Sequence, residues 1–227
     1  MIAVISDIHG NLWALEAVLR ELDRMHPSRV VVGGDLALGG PKPAECVALF
    51  RRRGYPAIRG NTDEWLTKAS ARITDPISWS SAQLSEEDRR FLAELPFLWR
   101  HQDQAGALVV IHATPWSISD VVRPDAAEHE VRRVFEEADA AAVVYAHIHQ
   151  AYIREVVGKL LVNTGSVGVP FDGDWRASFA TLTPDGGRWK ASLHRVAYDR
   201  DSAIAASRRS DNPERDRFIK RLESAAF

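Results

Sequence analysis

Short apolar runs alternate with amphipathic stretches through the first third of the chain. Residues 2–5 form a continuous, partly β-branched apolar run, as expected of a strand covered on both faces. Gly10 and Asn11 break it, and Leu12, Leu15, Val18, Leu19 and Leu22 follow at helical spacing. Residues 29–33 read as a second strand and 44–53 as a helix with Cys46, Val47, Leu49 and Phe50 on its apolar face. Residues 55–59 read as a third short strand, and a helix carrying Trp65 and Leu66 opens soon after it. This alternation predicts βαβ units and a parallel sheet.

The pattern then changes. From about 64 to 97 the chain is polar, with Trp79, Leu84, Phe91 and Leu92 as apolar anchors, and reads as a small helical insertion. Ser85 and Asp88 stand at capping-box spacing, and Pro96 ends the helix they start. A lid over a site and ordinary surface packing are equal readings of this insertion. Residues 98–102 and 107–111 predict two antiparallel strands. Pro124 and Asp125 predict a helix start, with Val131, Val134 and Phe135 buried. Residues 141–145 predict another strand. Two hairpins follow, 152–156 with 160–162 and 177–182 with 189–196, turning at Gly158-Lys159 and at residues 184–187. The tail, about 200–227, alternates Arg and Glu and predicts a solvated helix.

At 227 residues the chain suits one large domain over 1–227. With 45% hydrophobic and 26% charged residues it can bury a core and stay soluble. A formal net charge of −2 argues against a general nucleic-acid binder. No apolar run reaches the roughly 18 residues of a membrane span. The start lacks the basic region of a signal peptide, and Cys46 is the only cysteine, so no internal disulfide is possible and a cytoplasmic setting is expected. Cys46 itself reads as a buried apolar residue.

Composition is silent on chemistry; the strand ends are not. The first strand is followed by Asp7 and His9, the second by Asp35 and the third by Asn61. The strand at 107–111 runs into His112, and the strand at 141–145 into His147 and His149. Ligands of open α/β sheets bind beyond the carboxyl ends of the strands. One polar residue there is usually a loop group. Seven nitrogen or oxygen donors at equivalent places suit two metal ions sharing a bridging carboxylate, the usual clamp for a phosphoryl group. The mix of imidazole, carboxylate and amide without thiolate favours Mn²⁺, Fe²⁺/Fe³⁺, Zn²⁺ or Ni²⁺.

In order, Asp7-x-His9, Gly34-Asp35, Gly60-Asn61-x-Asp63, His112 and His147-x-His149 resemble the signature of the calcineurin-like metallophosphoesterases, and within them the small bacterial and archaeal phosphodiesterases. The resemblance covers at least residues 1–170. It implies an α/β (α+β) fold: a four-layer β-sandwich flanked by helices. It further implies that Asp7, His9 and His149 hold one ion, that Asn61, His112 and His147 hold the other, and that Asp35 bridges them. Asp35, Asn61 and His112 are thereby assigned to catalysis as well as to metal binding. Asn163-Thr164-Gly165-Ser166 resembles a structural turn of the family beneath the site.

One departure bears on mechanism. Many members place His between the Asn and the acidic residue; here the position is Thr62, which cannot serve as the general acid. Its hydroxyl either meets a phosphate oxygen or caps the following helix. The expected reaction is hydrolysis of a phosphodiester by water acidified between two ions, on a small phosphate ester such as a nucleotide. Trp116, Phe171 and Trp175 are candidate stacking partners for a base, against the commoner fate of core packing. Arg123 and Arg59 are candidate phosphate contacts. Alternatives are a phosphomonoesterase or dinucleoside polyphosphate hydrolase on the same site, or a protein-interaction scaffold on the same fold.

Overall fold

The computed structural model describes residues 1–68 and 75–227. Strand β1 (Ile2–Ile5) leads into α1 (Leu12–Met25), β2 (Arg29–Val32) and α2 (Pro43–Arg53). β1 and β2 pair in parallel, Ile2 against Arg29 through Ile5 against Val32. The 55–59 segment is not a third strand. It makes one isolated parallel bridge, Val32 to Ala57, because Pro56 has no N–H to donate and its carbonyl accepts from Val32 instead.

The insertion contributes α3 (Asn61–Thr67), α4 (Pro76–Gln83) and α5 (Glu86–Glu94). The Ser85 capping box is formed: the Ser85 hydroxyl accepts from the Asp88 N–H at 3.0 Å, and the Asp88 carboxylate accepts from the Ser85 N–H at 3.1 Å. α5 packs on α2, where Asp88 also accepts from Arg51 at 2.8 Å. α4 is tied elsewhere, through the Trp79 indole N–H donating to Asp211 at 2.8 Å.

Beyond it lie β3 (Leu98–Asp103), β4 (Gly106–Ile111), α6 (Glu128–Ala138), β5 (Ala142–Tyr145), β6 (Tyr152–Val156) and β7 (Lys159–Asn163). α6 starts two residues later than Asp125 as its N-cap predicts, the observed N-cap being Ala127. Its cap is made from inside, the Glu130 carboxylate accepting from the Ala127 N–H at 2.9 Å, and Asp125 takes no part. The chain ends in the hairpin β8 (Ala177–Asp185) and β9 (Arg188–Val196), then α7 (Arg200–Arg209) and α8 (Arg215–Ser224).

Two mixed sheets result, ordered β2-β1-β8-β9 and β3-β4-β5-β7-β6. Their facing sides bury Ile2, Val4, Val31, Leu108, Val110, Val144, Val162, Ala180 and Leu182. The outer face of the first sheet, with Ala3, Ile5, Val30 and Val32, is covered by α1, α2, α7 and α8. The outer face of the second, with Val109, Ile111, Val143 and Leu161, is covered by Val131, Val134 and Phe135 of α6. This is the expected four-layer sandwich. Fully burying each Val, Leu or Ile contributes about 1.5–3 kcal/mol, so β1, buried on both faces, is anchored out of proportion to its length.

The tail corrects the expectation of a solvated helix. Ala203 and Ile204 of α7 and Phe218, Ile219 and Leu222 of α8 are buried in the core beside α1. Their helical spacing is hidden among charges that occupy only the outer face. Among the described residues no helix is long and apolar enough to cross a membrane.

Candidate metal centre

β1, β2, β4 and β5 end at the same edge of the sandwich, and each strand hands its next residues to a tight loop. Nine non-glycine residues have positive φ among those described, and five are predicted ligands: Asp7 (53°), His9 (49°), Asp35 (56°), His147 (65°) and His149 (57°). Each such backbone costs about 1–2 kcal/mol for an L-residue. That cost is borne where it turns a side chain from the strand axis into a common centre. The Asp35 loop is pressed against the 60 loop so closely that a Cβ on Gly60 would stand 2.1 Å from Asp35 Oδ1, and one on Gly34 would stand 2.4 Å from the Gly60 nitrogen.

All seven predicted ligands converge. His149 Nε2 lies 3.2 Å from Asp7 Oδ1 and 3.2 Å from His9 Nε2. His112 Nε2 lies 3.0 Å from Asn61 Oδ1, and His147 Nδ1 lies 3.0 Å from the same oxygen. Asp35 links the two groups: its Oδ2 is 3.6 Å from both His9 Nε2 and His112 Nε2, while its Oδ1 accepts from the Thr62 N–H at 2.9 Å. Donor atoms of Asp7, His9 and His149, and of Asp7, Asp35 and His112, come together closely enough to hold a metal ion.

The protons show what the centre is for. His9 Nδ1 donates to the Leu38 carbonyl (2.7 Å), His112 Nδ1 to Gly33 (2.8 Å) and His149 Nδ1 to Val169 (2.7 Å). His147 is turned the other way, its Nε2 donating to the Ser119 carbonyl at 3.1 Å and its Nδ1 facing inward. Each imidazole thus spends its single neutral-form proton outward and aims a lone pair at the centre, as metal-bound histidines do. The 3.2 Å contact between His9 and His149 then sets lone pair against lone pair, a repulsive arrangement without a shared cation. Asp7 Oδ1 is buried with no hydrogen-bond partner. The residues present fit divalent ions.

Burial would lower the His9 pKa, but the Asp7 and Asp35 carboxylates outweigh it and raise it; His112 is raised against burial by Asp35 and Asp7. Burial would raise Asp7, but His149 and His9 hold it well below the usual carboxylate range. His147 goes the other way, lowered by burial and then by His112.

Around the ligands sits a scaffold the sequence pattern only partly reveals. The buried Asp63 carboxylate accepts from the N–H groups of Asp35 (2.7 Å), Leu36 (2.9 Å) and Gly60 (2.9 Å), locking two ligand loops together. Burial and then the neighbouring Asp35 charge raise its pKa to about 6, against the pull of those three donors. Ser166 donates to the Asp7 carbonyl at 2.7 Å and Asn163 to the Ala146 carbonyl at 2.6 Å, so the 163–166 turn braces both ends of the ligand set. The Asn11 amide ties the first loop to Gly168 (2.8 Å) and to the Tyr198 hydroxyl (3.2 Å).

A cavity of about 480 Å³ opens over the centre, with His9, Asp35, Asn61, His147 and His149 in its floor. Thr62 lines it. Its hydroxyl caps nothing: the first residue flanking α3 is Gly60, and Thr62 Oγ1 is buried without a partner. Phe171 also lines the cavity, its ring stacked on His149 at 4.4 Å. Trp116 and Arg123 are not among the lining residues. The Trp116 indole donates to Asp120 at 2.9 Å and its ring faces Arg133 at 3.9 Å, so it leans on α6 instead. Trp175, half-buried, packs against Tyr198 and Arg200 at the margin of the core, and Arg59 lies nearest Glu64. The opposite wall comes from Trp65, Pro76 and Ile77 of the insertion, one of whose two readings placed it over a site, and from Arg217, Arg221 and Phe227 of the tail, which carried no functional expectation. Only the burial of one α8 face could have found the tail residues.

A four-layer sandwich with this ligand set at its strand ends defines a metal-binding hydrolase of phosphate esters. The chain belongs to the calcineurin-like phosphoesterase superfamily, whose domain model matches residues 1–187. It is 32% identical over 220 residues to an uncharacterized protein of Methanocaldococcus jannaschii, covering 88% of each chain. A metallophosphoesterase of Sphaerobacter thermophilus is similar in structure at TM-score 0.80 and 29% identity, covering 99% of this chain and 98% of that one. A hypothetical protein of Pyrococcus horikoshii shares the fold at TM-score 0.85 and 19% identity, over 98% of both chains.

Proposed function

We propose that the chain is a dinuclear phosphodiesterase acting on a small phosphate ester of up to nucleotide size. The observation that carries this reading is the convergence of seven strand-end donors whose imidazole protons all point away from the centre. In this reading Asp7, His9 and His149 would hold one divalent ion and Asn61, His112 and His147 a second, and Asp35, whose Oδ2 lies 3.6 Å from both His9 and His112, would be shared between them. Mn²⁺, iron, Zn²⁺ or Ni²⁺ suit the donor set, and when bound they supply Lewis acidity that polarises the phosphoryl oxygens and acidifies water at the phosphorus.

The chain's own groups do the positioning. The Thr62 N–H fixes Asp35 through Oδ1 and leaves Oδ2 free for the centre. On a turn of its side chain the Thr62 hydroxyl, buried and unpartnered in this structure, donates to a phosphoryl oxygen of the bound ester. It stabilises charge there without supplying a proton, so the departing oxygen leaves with little help from position 62. A diester with an acidic leaving alcohol suits such a site. The cavity falls in the volume range of small-molecule sites, which favours a nucleotide-sized substrate over a polymer.

The test is hydrolysis of bis-p-nitrophenyl phosphate against p-nitrophenyl phosphate. The protein is stripped of metal and then supplied with Mn²⁺, Zn²⁺, Ni²⁺ or Mg²⁺, with Asp35→Asn as control. Metal-dependent cleavage of the diester, abolished in the variant, supports the reading. Preference for the monoester moves the assignment to a phosphomonoesterase. Inactivity on both in the metal-loaded protein favours the scaffold.

A further inference from the structure

The cavity wall facing the metal ligands is built by α8, and it carries an uncompensated cation. Arg217 and Arg221 stand one helical turn apart and both line the cavity. Arg217 is neutralised by Glu214 at 3.0 Å. Arg221 is not: its Nε is buried without a hydrogen-bond partner, and among the described residues it forms no ion pair. Residues 69–74, Ala-Ser-Ala-Arg-Ile-Thr, include no carboxylate to pair with it. Burial and then Arg217 push its pKa down, against a smaller opposing pull from the Glu214 carboxylate, which stands outside ion-pair distance. Leaving a half-buried guanidinium unpaired is costly unless a ligand completes it.

Its surroundings say what kind of ligand. The Arg221 guanidinium lies 5.3 Å from the centre of the Phe171 ring and 5.2 Å from that of Phe227. Phe171 in turn stacks on His149. One aromatic ring therefore separates Arg221 from a metal ligand. Ile77 and Phe218 line the same cavity. A guanidinium beside aromatic and aliphatic side chains in a cavity wall matches a planar carboxylate or phosphate, with which it can form paired hydrogen bonds.

We propose that Arg221 forms a distal anion subsite, so that the preferred substrate is a phosphate ester bearing an aromatic or heteroaromatic ring and, beyond it, a second anionic group. This rests on the phosphoesterase reading for the scissile end and adds the chemistry of the other end. Arg221 acts on binding and orientation, not on the reacting atoms. The apolar wall around Phe171 orients the ring, and the second anion fixes which way the ester lies across the metal centre.

The test compares two synthetic diesters that differ by one group, phenyl p-nitrophenyl phosphate and 4-carboxyphenyl p-nitrophenyl phosphate, on the Mn²⁺-loaded protein. Calorimetric binding of phenyl phosphate and 4-carboxyphenyl phosphate, with and without Mn²⁺, supplies a readout that needs no turnover. The wild type should favour the carboxylated member of each pair by about tenfold, the size expected of one charge-assisted contact. Arg221→Gln should bring that ratio to near one, and Arg221→Lys should restore part of it. No preference in the wild type overturns the proposal. So does a ratio that persists in Arg221→Gln, including the case where both members weaken equally, which marks a purely structural arginine. Cleavage of neither ester alongside a retained calorimetric preference defeats the phosphoesterase reading and leaves the subsite standing. Cleavage of both with equal constants defeats the subsite alone, and neither cleavage nor binding defeats both.

Discussion

The cavity has two walls of different origin. Apart from Asn61, which opens α3, the ligand wall is made by residues at most a few positions beyond buried strands, and its geometry is held by backbone: positive φ at five ligands, close approach at Gly34 and Gly60, and carbonyls that orient each imidazole. The opposite wall is made by side chains of α3, α4 and α8; α8 is held to the core by one apolar face, and α4 is tied to the tail by Trp79 on Asp211. The first wall sets chemistry and leaves little room to vary, because a shift of one residue would turn a ligand out of the centre. The second can change residue by residue without disturbing the metal site. A fold that serves many esters has reason to divide its labour in this way.

The largest expected effect comes from breaking the bridge. Asp35→Asn removes the charge shared between the two groups and should lower kcat of the metal-loaded enzyme by at least about 10³-fold, the scale of a lost electrostatic contact at the reacting centre. Steady-state kinetics with a metal count would check it. Asp63→Asn leaves every ligand in place but sets an amide N–H₂ against backbone donors. It should weaken metal affinity by about 10–100-fold, the usual cost of disturbing a group that orients ligands, as read by competition with a chelator.

The other wall should respond differently. Phe218→Ala, at the buried face of α8, should destabilise the protein by about 3–5 kcal/mol in urea unfolding. It should raise KM while leaving metal affinity unchanged. Equal losses in both would show that the walls are not separable. Thr62→His supplies an imidazole where the wild type has only a hydroxyl. It should flatten the dependence of rate on leaving-group pKa across a series of aryl esters, and equal slopes in the two proteins would contradict the account of Thr62. The smallest effect is expected from Trp116→Phe. Trp116 lies outside the cavity but braces Asp120, next to the Ser119 carbonyl that orients His147. Losing one partly exposed hydrogen bond should shift metal affinity by less than about tenfold and KM not at all.

The two walls were also unequally legible. Alternating apolar runs and the polar residues that end them were enough to single out seven residues that the fold brings together, six of them beyond strands that share one edge; Asn61 instead opens α3 after a segment that is not a strand. The same reasoning overreached at residues 55–59, where Pro56 withdraws a ladder donor, and at Pro124-Asp125, where Glu130 rather than Asp125 caps α6. Trp116 and Arg123 follow His112 closely in sequence, but proximity along a loop does not fix which way a side chain turns. The tail was misread for a related reason. Phe218, Ile219 and Leu222 are spaced as one helical face, yet the charges around them dominate the composition, and nothing local says that the helix lies across a site. Long-range packing, such as Trp79 on Asp211, carries that information.

Metal stoichiometry tests the central claim most directly. The protein would be stripped with chelator, loaded with Mn²⁺, desalted and analysed for manganese per chain, with low-temperature electron paramagnetic resonance on the same sample. Two ions per chain with a spin-coupled signal, falling to one or fewer and uncoupled in Asp35→Asn, is the expected result. A single uncoupled ion in the wild type, with Asp35→Asn unchanged, would contradict a bridged dinuclear centre and with it the mechanism proposed.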